Sequence, residues 1–332
     1  MFDIMKGKYY ESDYEEALID LLVQQGWEYT HGGSISRNNR EVLFVDDLML
    51  YLQQRYPDLQ HGDIEEIINR LRHVSGQTHF ELLRNTYYLV RDGFRYIRNQ
   101  DGETFDIEFV DFEAQNKNNI YRCVNQFEVG YGQKNDIRIP DVLLFVNGIP
   151  LCVFELKNPT DFNATIADAY DQIHIRYKRD IPHLLRYAPL SCISDATINN
   201  TKLGTTYTPY NHYYVWKKVN NEDESAKRGT DQVKTIVAGV YEPNRFLEII
   251  RDFVYFPDKK HDKEEEVVCR YPQFFATRML KESVLKAHSA NSSKGGTYFG
   301  ATGCGKTYTM MFLARQLSLR CKELGSPTIV MI

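Results

Sequence analysis

The stretch "PDVLLFVNGIPLCVFELKNP", residues 140–159, restricts the possible folds of this chain more than any other. Residues 142–146 and 151–154 are almost wholly apolar, and Asn147-Gly148 between them is the strongest short-range hairpin signal a sequence offers. The segment therefore reads as two neighbouring strands in a buried sheet. Asp141 stands at one end of that hairpin, and Glu155 and Lys157 stand at the other. A charge in such a run costs several kcal/mol unless it is paired or holds a metal.

Register decides whether those charges can meet. A regular two-residue turn pairs Val146 with Ile149, sets Asp141 across from Phe154, and puts Glu155 on the opposite face. A site formed by all three requires one irregularity, either a three-residue loop over 147–149 or a β-bulge near Asp141. If they do meet, two carboxylates (metal ligands Asp141 and Glu155) are hard oxygen donors suited to Mg²⁺. Lys157, two residues beyond Glu155, points to the same face and can orient water or offset developing charge. That is the chemistry of phosphodiester hydrolysis. The alternative is three edge charges that merely face water.

Other residues could complete the pocket. Glu15, in the first turn of the helix "SDYEEALIDLLVQQG", is a candidate third acid, although a first-turn Glu also favours the helix dipole. Gln172 lies on the helix "NATIADAYDQIHIRYKRDI" after the hairpin and could contact water or a phosphate. The basic run Arg176–Arg179 is the best local candidate for a DNA patch.

A second motif lies near the chain end. "GATGCGKT", residues 300–307, matches the phosphate-binding loop, between a predicted strand "GGTYF" and a predicted helix. Gly300, Gly303 and Gly305 let the backbone wrap a pyrophosphate, Lys306 reaches the β- and γ-phosphates, and Thr307 holds Mg²⁺. Gln273, in "RYPQFF" upstream, is placed to contact an adenine edge. The expected ligand is ATP. The loop is followed by one more predicted strand, "SPTIVMI", so nucleotide binding with little turnover is expected of these 332 residues.

The order of helices, strands, hairpin, helix and strands predicts an α/β fold with a mixed sheet flanked by helices over residues 1–240. Residues 241–268 read as a connecting helix and a charged linker, and residues 269–332 as the start of a second, nucleotide-binding domain. A formal net charge of -5 gives no global field for nucleic acid, so DNA contact must come from local patches. Six scattered cysteines without a C-x-x-C pair suit a reducing, cytoplasmic setting, and no run approaches a membrane span.

Together the motifs resemble the restriction (R) subunit of type I restriction-modification enzymes, from about Glu11 to the chain end. "PDVLLFVNGIPLCVFELKNP", "NATIADAYDQI", "YKRDIPHLL" and "GGTYFGATGCGKTYTMMFLA" carry the resemblance. It implies a PD-ExK nuclease domain followed by a RecA-like superfamily 2 translocase that pumps double-stranded DNA with ATP, working with methyltransferase (M) and specificity (S) subunits. It implies Asp141, Glu155 and Lys157 as nuclease residues, Gln273 as the adenine contact, and Lys306 and Thr307 as phosphate and Mg²⁺ contacts. The family often shows Gln-x-x-x-Tyr after the nuclease lysine. Here that spacing from Gln172 falls on Arg176, and Tyr177 comes one residue later, which leaves open which of them takes the tyrosine's place. The family's chain is several times longer, so this sequence reads as an N-terminal piece. Two other readings compete: a nuclease-helicase fusion of another defence or repair system, and a nucleotide-binding interaction module whose hairpin charges are structural.

Overall fold

A computed structural model describes residues 11–113, 118–133, 136–157, 165–195, 201–225, 230–257 and 264–330. Its centre is a six-stranded mixed sheet, in spatial order β1 (Glu28–His31), β2 (Tyr121–Asn125), β3 (Val142–Val146), β4 (Ile149–Leu156), β5 (Leu190–Ser194) and β6 (Thr201–Gly204). β1 pairs with β2, and β4 with β5, in parallel; the other neighbours are antiparallel. The expected hairpin is the middle pair, β3 and β4, and every residue of both strands is buried.

The turn itself is also inside the protein. Asn147 and Gly148 have φ of 51° and 79°, the positive pair that a tight hairpin turn needs. A buried turn leaves backbone groups to satisfy. The Asn147 side chain does this: it donates to the Phe109 carbonyl at 2.9 Å and accepts from the Ile120 amide at 2.8 Å. A Cβ on Gly148 would overlap the Phe44 carbonyl oxygen, so no larger residue fits there.

Helices cover both faces of the sheet. Alternation along β4 points Phe154 and Glu155 to opposite sides. Phe154 meets the Tyr241 ring at 4.7 Å, just past the Thr230–Val240 helix, and Trp27 donates to the Tyr241 carbonyl at 2.6 Å. On the other side lies one continuous helical segment made of Ile166–Asp171, a π-helical turn Gln172–Tyr177, and Lys178–Asp180. Three further helices, Val45–Arg55, His61–Arg72 and His79–Asp92, have Pro57 and Gly76 in the turns between them.

The segment expected to connect two domains is well packed. Phe246 and Phe253 of "NRFLEIIRDFVYF" are fully buried, the first against Trp27 at 5.3 Å and the second against Phe274 and Phe312 at 5.0 and 5.2 Å. The helix over these residues is Pro243–Asp252. Part of the charged stretch, residues 258–263, lies outside the described residues.

Two segments rich in aromatic and β-branched residues pair only in part, and the strands expected on either side of the phosphate loop are absent among the described residues. "HYYVWKKV" makes a single antiparallel bridge, Tyr214 to Leu203 on the outer side of β6, and the pairing extends no further. "TFDIEFVDF" is a strand only over Thr104–Ile107, paired with Phe94–Ile97 in a separate hairpin. "GGTYF" and the described part of "SPTIVMI" are not strands, and no described segment pairs with them; an extended segment becomes a ladder only when a partner takes its hydrogen bonds. The helix after the phosphate loop is present, Lys306–Arg320.

Candidate functional site

The hairpin contains the irregularity that its charges require, in a place the sequence reading did not anticipate. Val146 pairs with Ile149 across a two-residue turn, so the loop is not lengthened. The register then shifts: Phe145 pairs with Pro150, but Leu144 pairs with Cys152, and Leu151 is the extra residue of a bulge. Pro150 has no N–H to give the ladder, which is the physical reason for a break beside it. Beyond the bulge Val142 stands opposite Phe154, and extending the register by one sets Asp141 opposite Glu155. An Asp141 Oδ2 accepts from the Leu156 amide at 2.5 Å, which holds its carboxylate against β4 next to Glu155.

Glu155 has no exposed surface. Its Oε1 accepts from Lys157 Nζ at 2.8 Å and its Oε2 from the Tyr177 hydroxyl at 2.9 Å. Lys157 also donates to Gln172 Oε1 at 3.1 Å, and Gln172 Nε2 donates to the Tyr177 hydroxyl at 2.9 Å. Four side chains therefore close a ring of hydrogen bonds around a buried carboxylate, with Asp141 beside it. Burial, then the charges of Glu155 and Asp141, push the Tyr177 phenol far above its ordinary value, so it remains a hydrogen-bond donor.

The π-helical turn settles the spacing of Gln172 and Tyr177. In an α-helix, residues four apart face the same way; in a π-turn, residues five apart do. The turn runs from Gln172 to Tyr177, and these two side chains touch. Tyr177 is buried within the ring, whereas Arg176 is exposed. The π-turn thus gives residues five apart the contact that an α-helix gives residues four apart.

Other candidates lie further out. Glu15 is buried and accepts from Asn125 Nδ2 at 2.6 Å; Asn125 closes β2 opposite Val142, the neighbour of Asp141. It therefore approaches the hairpin through Asn125, a residue that sequence reasoning missed because a lone Asn carries no periodic signal. The basic run does not form one patch. Lys178 lies over the Tyr207 ring at 3.6 Å, Arg179 pairs with Asp180 at 2.7 Å, and Arg176 and Arg179 are exposed. Behind the helix, His174 stacks on Tyr170 at 3.9 Å and hydrogen-bonds the Tyr213 hydroxyl at 2.9 Å. Burial, helped by Lys178, lowers its pKa to about 3, so the ring is neutral.

At the phosphate loop, Gly303 and Gly305 adopt φ of 79° and 83°, which only glycine takes without strain. Lys306 Nζ donates back to the Gly300 and Ala301 carbonyls at 2.8 and 3.0 Å and closes the loop on itself. Thr307 is exposed at the first turn of the helix. Gln273 is buried; its amide accepts from the Arg270 N–H at 2.8 Å and donates to the Gly305 carbonyl at 3.2 Å, tying helix Tyr271–Ser289 to the loop.

Among the described residues, no group of three or more His, Cys, Asp or Glu is arranged to hold a metal ion, and no helix is long and apolar enough to cross a membrane. None of the six cysteines is in a disulfide.

Residues 8–212 match the family described as type I restriction enzyme R protein N terminus. The chain is 31% identical over 336 residues to the type I restriction enzyme HindI endonuclease subunit of Haemophilus influenzae, covering 97% of this chain and 31% of that protein. It is 27% identical over 351 residues to the putative type I restriction enzyme MjaIXP endonuclease subunit of Methanocaldococcus jannaschii, covering 96% and 32%. The chain thus spans about a third of the length of these curated relatives.

Proposed function

The chain belongs to the family of type I restriction enzyme R proteins, and from that premise we propose that its hairpin site hydrolyses DNA phosphodiester bonds with Mg²⁺, as the nuclease of an ATP-driven restriction subunit. The observation that carries this reading is the bulged register, which sets Asp141 opposite Glu155 and joins Glu155 to Lys157, Gln172 and Tyr177. A hairpin whose charges merely faced water would have no use for a bulge that brings them together, nor for a fully buried Glu155.

The donor set fits a hard divalent cation. Asp141 and Glu155 offer carboxylate oxygens on adjacent strands, and they are the residues that would hold Mg²⁺. When bound, the ion would polarise the phosphate and lower the pKa of a water molecule. The chain's own residues do the rest. Lys157 compensates the buried Glu155 charge and presents an ammonium for the phosphate or the attacking water. Tyr177 and Gln172 fix the orientation of Glu155 and Lys157, so that neither swings when DNA arrives.

The phosphate loop supports a second part of the reading, an ATP site that drives translocation. Lys306 and Thr307 would take the phosphates and their Mg²⁺, in a RecA-like domain begun by residues 269–332. The partners in this reading are double-stranded DNA and the methyltransferase and specificity subunits of a type I complex.

The test is separation of activities in the whole enzyme. Asp141→Ala and Lys157→Ala should each abolish DNA cutting while ATP turnover continues, because the two reactions use separate metal sites. Equal loss of both activities would mean misfolding and would remove support for the hairpin as the nuclease centre.

A further inference from the structure

Beside the phosphate loop lies a cavity of about 170 Å³, bounded by Tyr214, Glu266, Arg270, Gln273, Gly305 and Tyr308 among others. It is smaller than the ~300–1,000 Å³ of pockets that enclose whole ligands, and so suits a base whose phosphates stay on the loop. One wall is flat: the Arg270 guanidinium lies over the Tyr214 ring at 3.5 Å. The opposite requirement, a group that reads the base edge, was expected of Gln273. Its amide oxygen and nitrogen are already engaged by Arg270 and Gly305.

Glu266 is the unengaged group. It is 1% exposed, and neither carboxyl oxygen meets a hydrogen-bond partner. The Thr205 hydroxyl nearby is turned to Thr208 and to the Glu266 main-chain carbonyl, and Lys178, whose field reaches Glu266, lies on Tyr207. A buried carboxyl left unbonded is costly, and such a group is retained where a ligand completes it.

We propose that Glu266 is a base-binding residue of the nucleotide site, which holds adenine by hydrogen bonding to its exocyclic amine and the adjacent ring nitrogen. This rests on the nucleotide reading of the phosphate loop and deepens it. Burial holds the Glu266 carboxyl well above the usual carboxylate range, against the opposing pull of Thr205 and Lys178. In its protonated form it offers one O–H and one C=O, the complement of a ring nitrogen acceptor beside an amine donor. Unsubstituted purine keeps the ring nitrogen but has no amine, so it makes only one of the two bonds; hypoxanthine, with an N–H beside a carbonyl, pairs with the same acid once the proton sits on its other oxygen.

The experiment compares ATP with purine riboside triphosphate, which lacks only the amine, by titration calorimetry on the whole chain. The wild-type protein should bind ATP at least ~10-fold more tightly than the purine analogue, the equivalent of about one well-made hydrogen bond. Glu266→Leu should bring the ratio to within about twofold, while Glu266→Gln, which keeps one donor and one acceptor, should preserve the preference. An equal wild-type affinity for ATP and the purine analogue overturns the proposal without any variant being needed. So does a Glu266→Leu protein that retains the wild-type ratio, or a Glu266→Gln protein that loses as much as Glu266→Leu. Failure of the wild-type chain to bind either nucleotide would instead refute the nucleotide reading itself.

Discussion

Removing Lys157 should expose how the site is held together before any DNA is present. Its ammonium lies 2.8 Å from a Glu155 carboxylate with no exposed side-chain surface, and is itself only 14% exposed. Deleting one partner of a buried pair typically costs about 3–5 kcal/mol, since the other charge stays behind. The Tyr177 hydroxyl still donates to Glu155, so the lower end applies to Lys157→Ala, about 3 kcal/mol, or about 6–12 °C in Tm for a domain of this size. Glu155→Gln leaves Lys157 partly hydrated and bonded to Gln172, and should cost only about 1 kcal/mol. The double variant carries no buried charge and should cost less than Lys157→Ala alone. Urea unfolding followed by circular dichroism measures all three. Additivity within about 0.5 kcal/mol would refute the coupling, and with it the claim that Lys157 is what makes the buried Glu155 tolerable.

Deleting Ile175, which is exposed within the π-turn, should convert Gln172 and Tyr177 to α-helical spacing and keep them in contact; stability in urea should change by less than about 1 kcal/mol, and unfolding would refute the idea that the two periods are interchangeable here. His174 is held neutral down to about pH 3, against a free value of 6.5, so its contribution is fully present above pH 6.5 and is lost as pH falls toward 3, at up to about 1.4 kcal/mol per pH unit. His174→Phe should therefore flatten the acid side of a Tm-versus-pH curve, and an unchanged slope would count against it. Lys306→Ala should weaken ATP binding at least ~10-fold in calorimetry by removing the phosphate contact, and should leave the melting profile near wild type because its present partners are loop carbonyls.

Much of this was readable from the chain. The hairpin follows from two apolar runs around Asn147-Gly148, and the requirement for a register shift follows from the two-residue period of a strand. The position of the shift was missed: it was sought at the turn or near Asp141, whereas Pro150, a residue that a central strand can hold only at a break, marks it. Tyr177 was missed because α-helical spacing was the only period applied to the segment, and a π-turn leaves no compositional mark. Asn125 and Glu266 were invisible for a different reason. Each matters through what lies across from it in space, Glu15 for one and an unfilled cavity for the other, and neither neighbour is near in sequence. The strands expected around the phosphate loop show the converse error, since β-propensity names a segment able to pair and says nothing of whether a partner is at hand.

The bulge at Leu151 makes the residue count between the two carboxylates a marker of local structure. Thirteen residues, 142–154, separate Asp141 from Glu155, and a regular ladder across a two-residue turn takes up only an even number, so the bulge absorbs the odd one. Deleting Leu151 would remove the bulge and leave Leu144 opposite Cys152 and Asp141 opposite Glu155 in a regular ladder. A residue added to one strand without a second bulge would instead turn Glu155 to the other face. Among relatives of this chain, an even count between the two carboxylates should therefore accompany a regular hairpin and an odd count a bulge, with the pair facing one another in both.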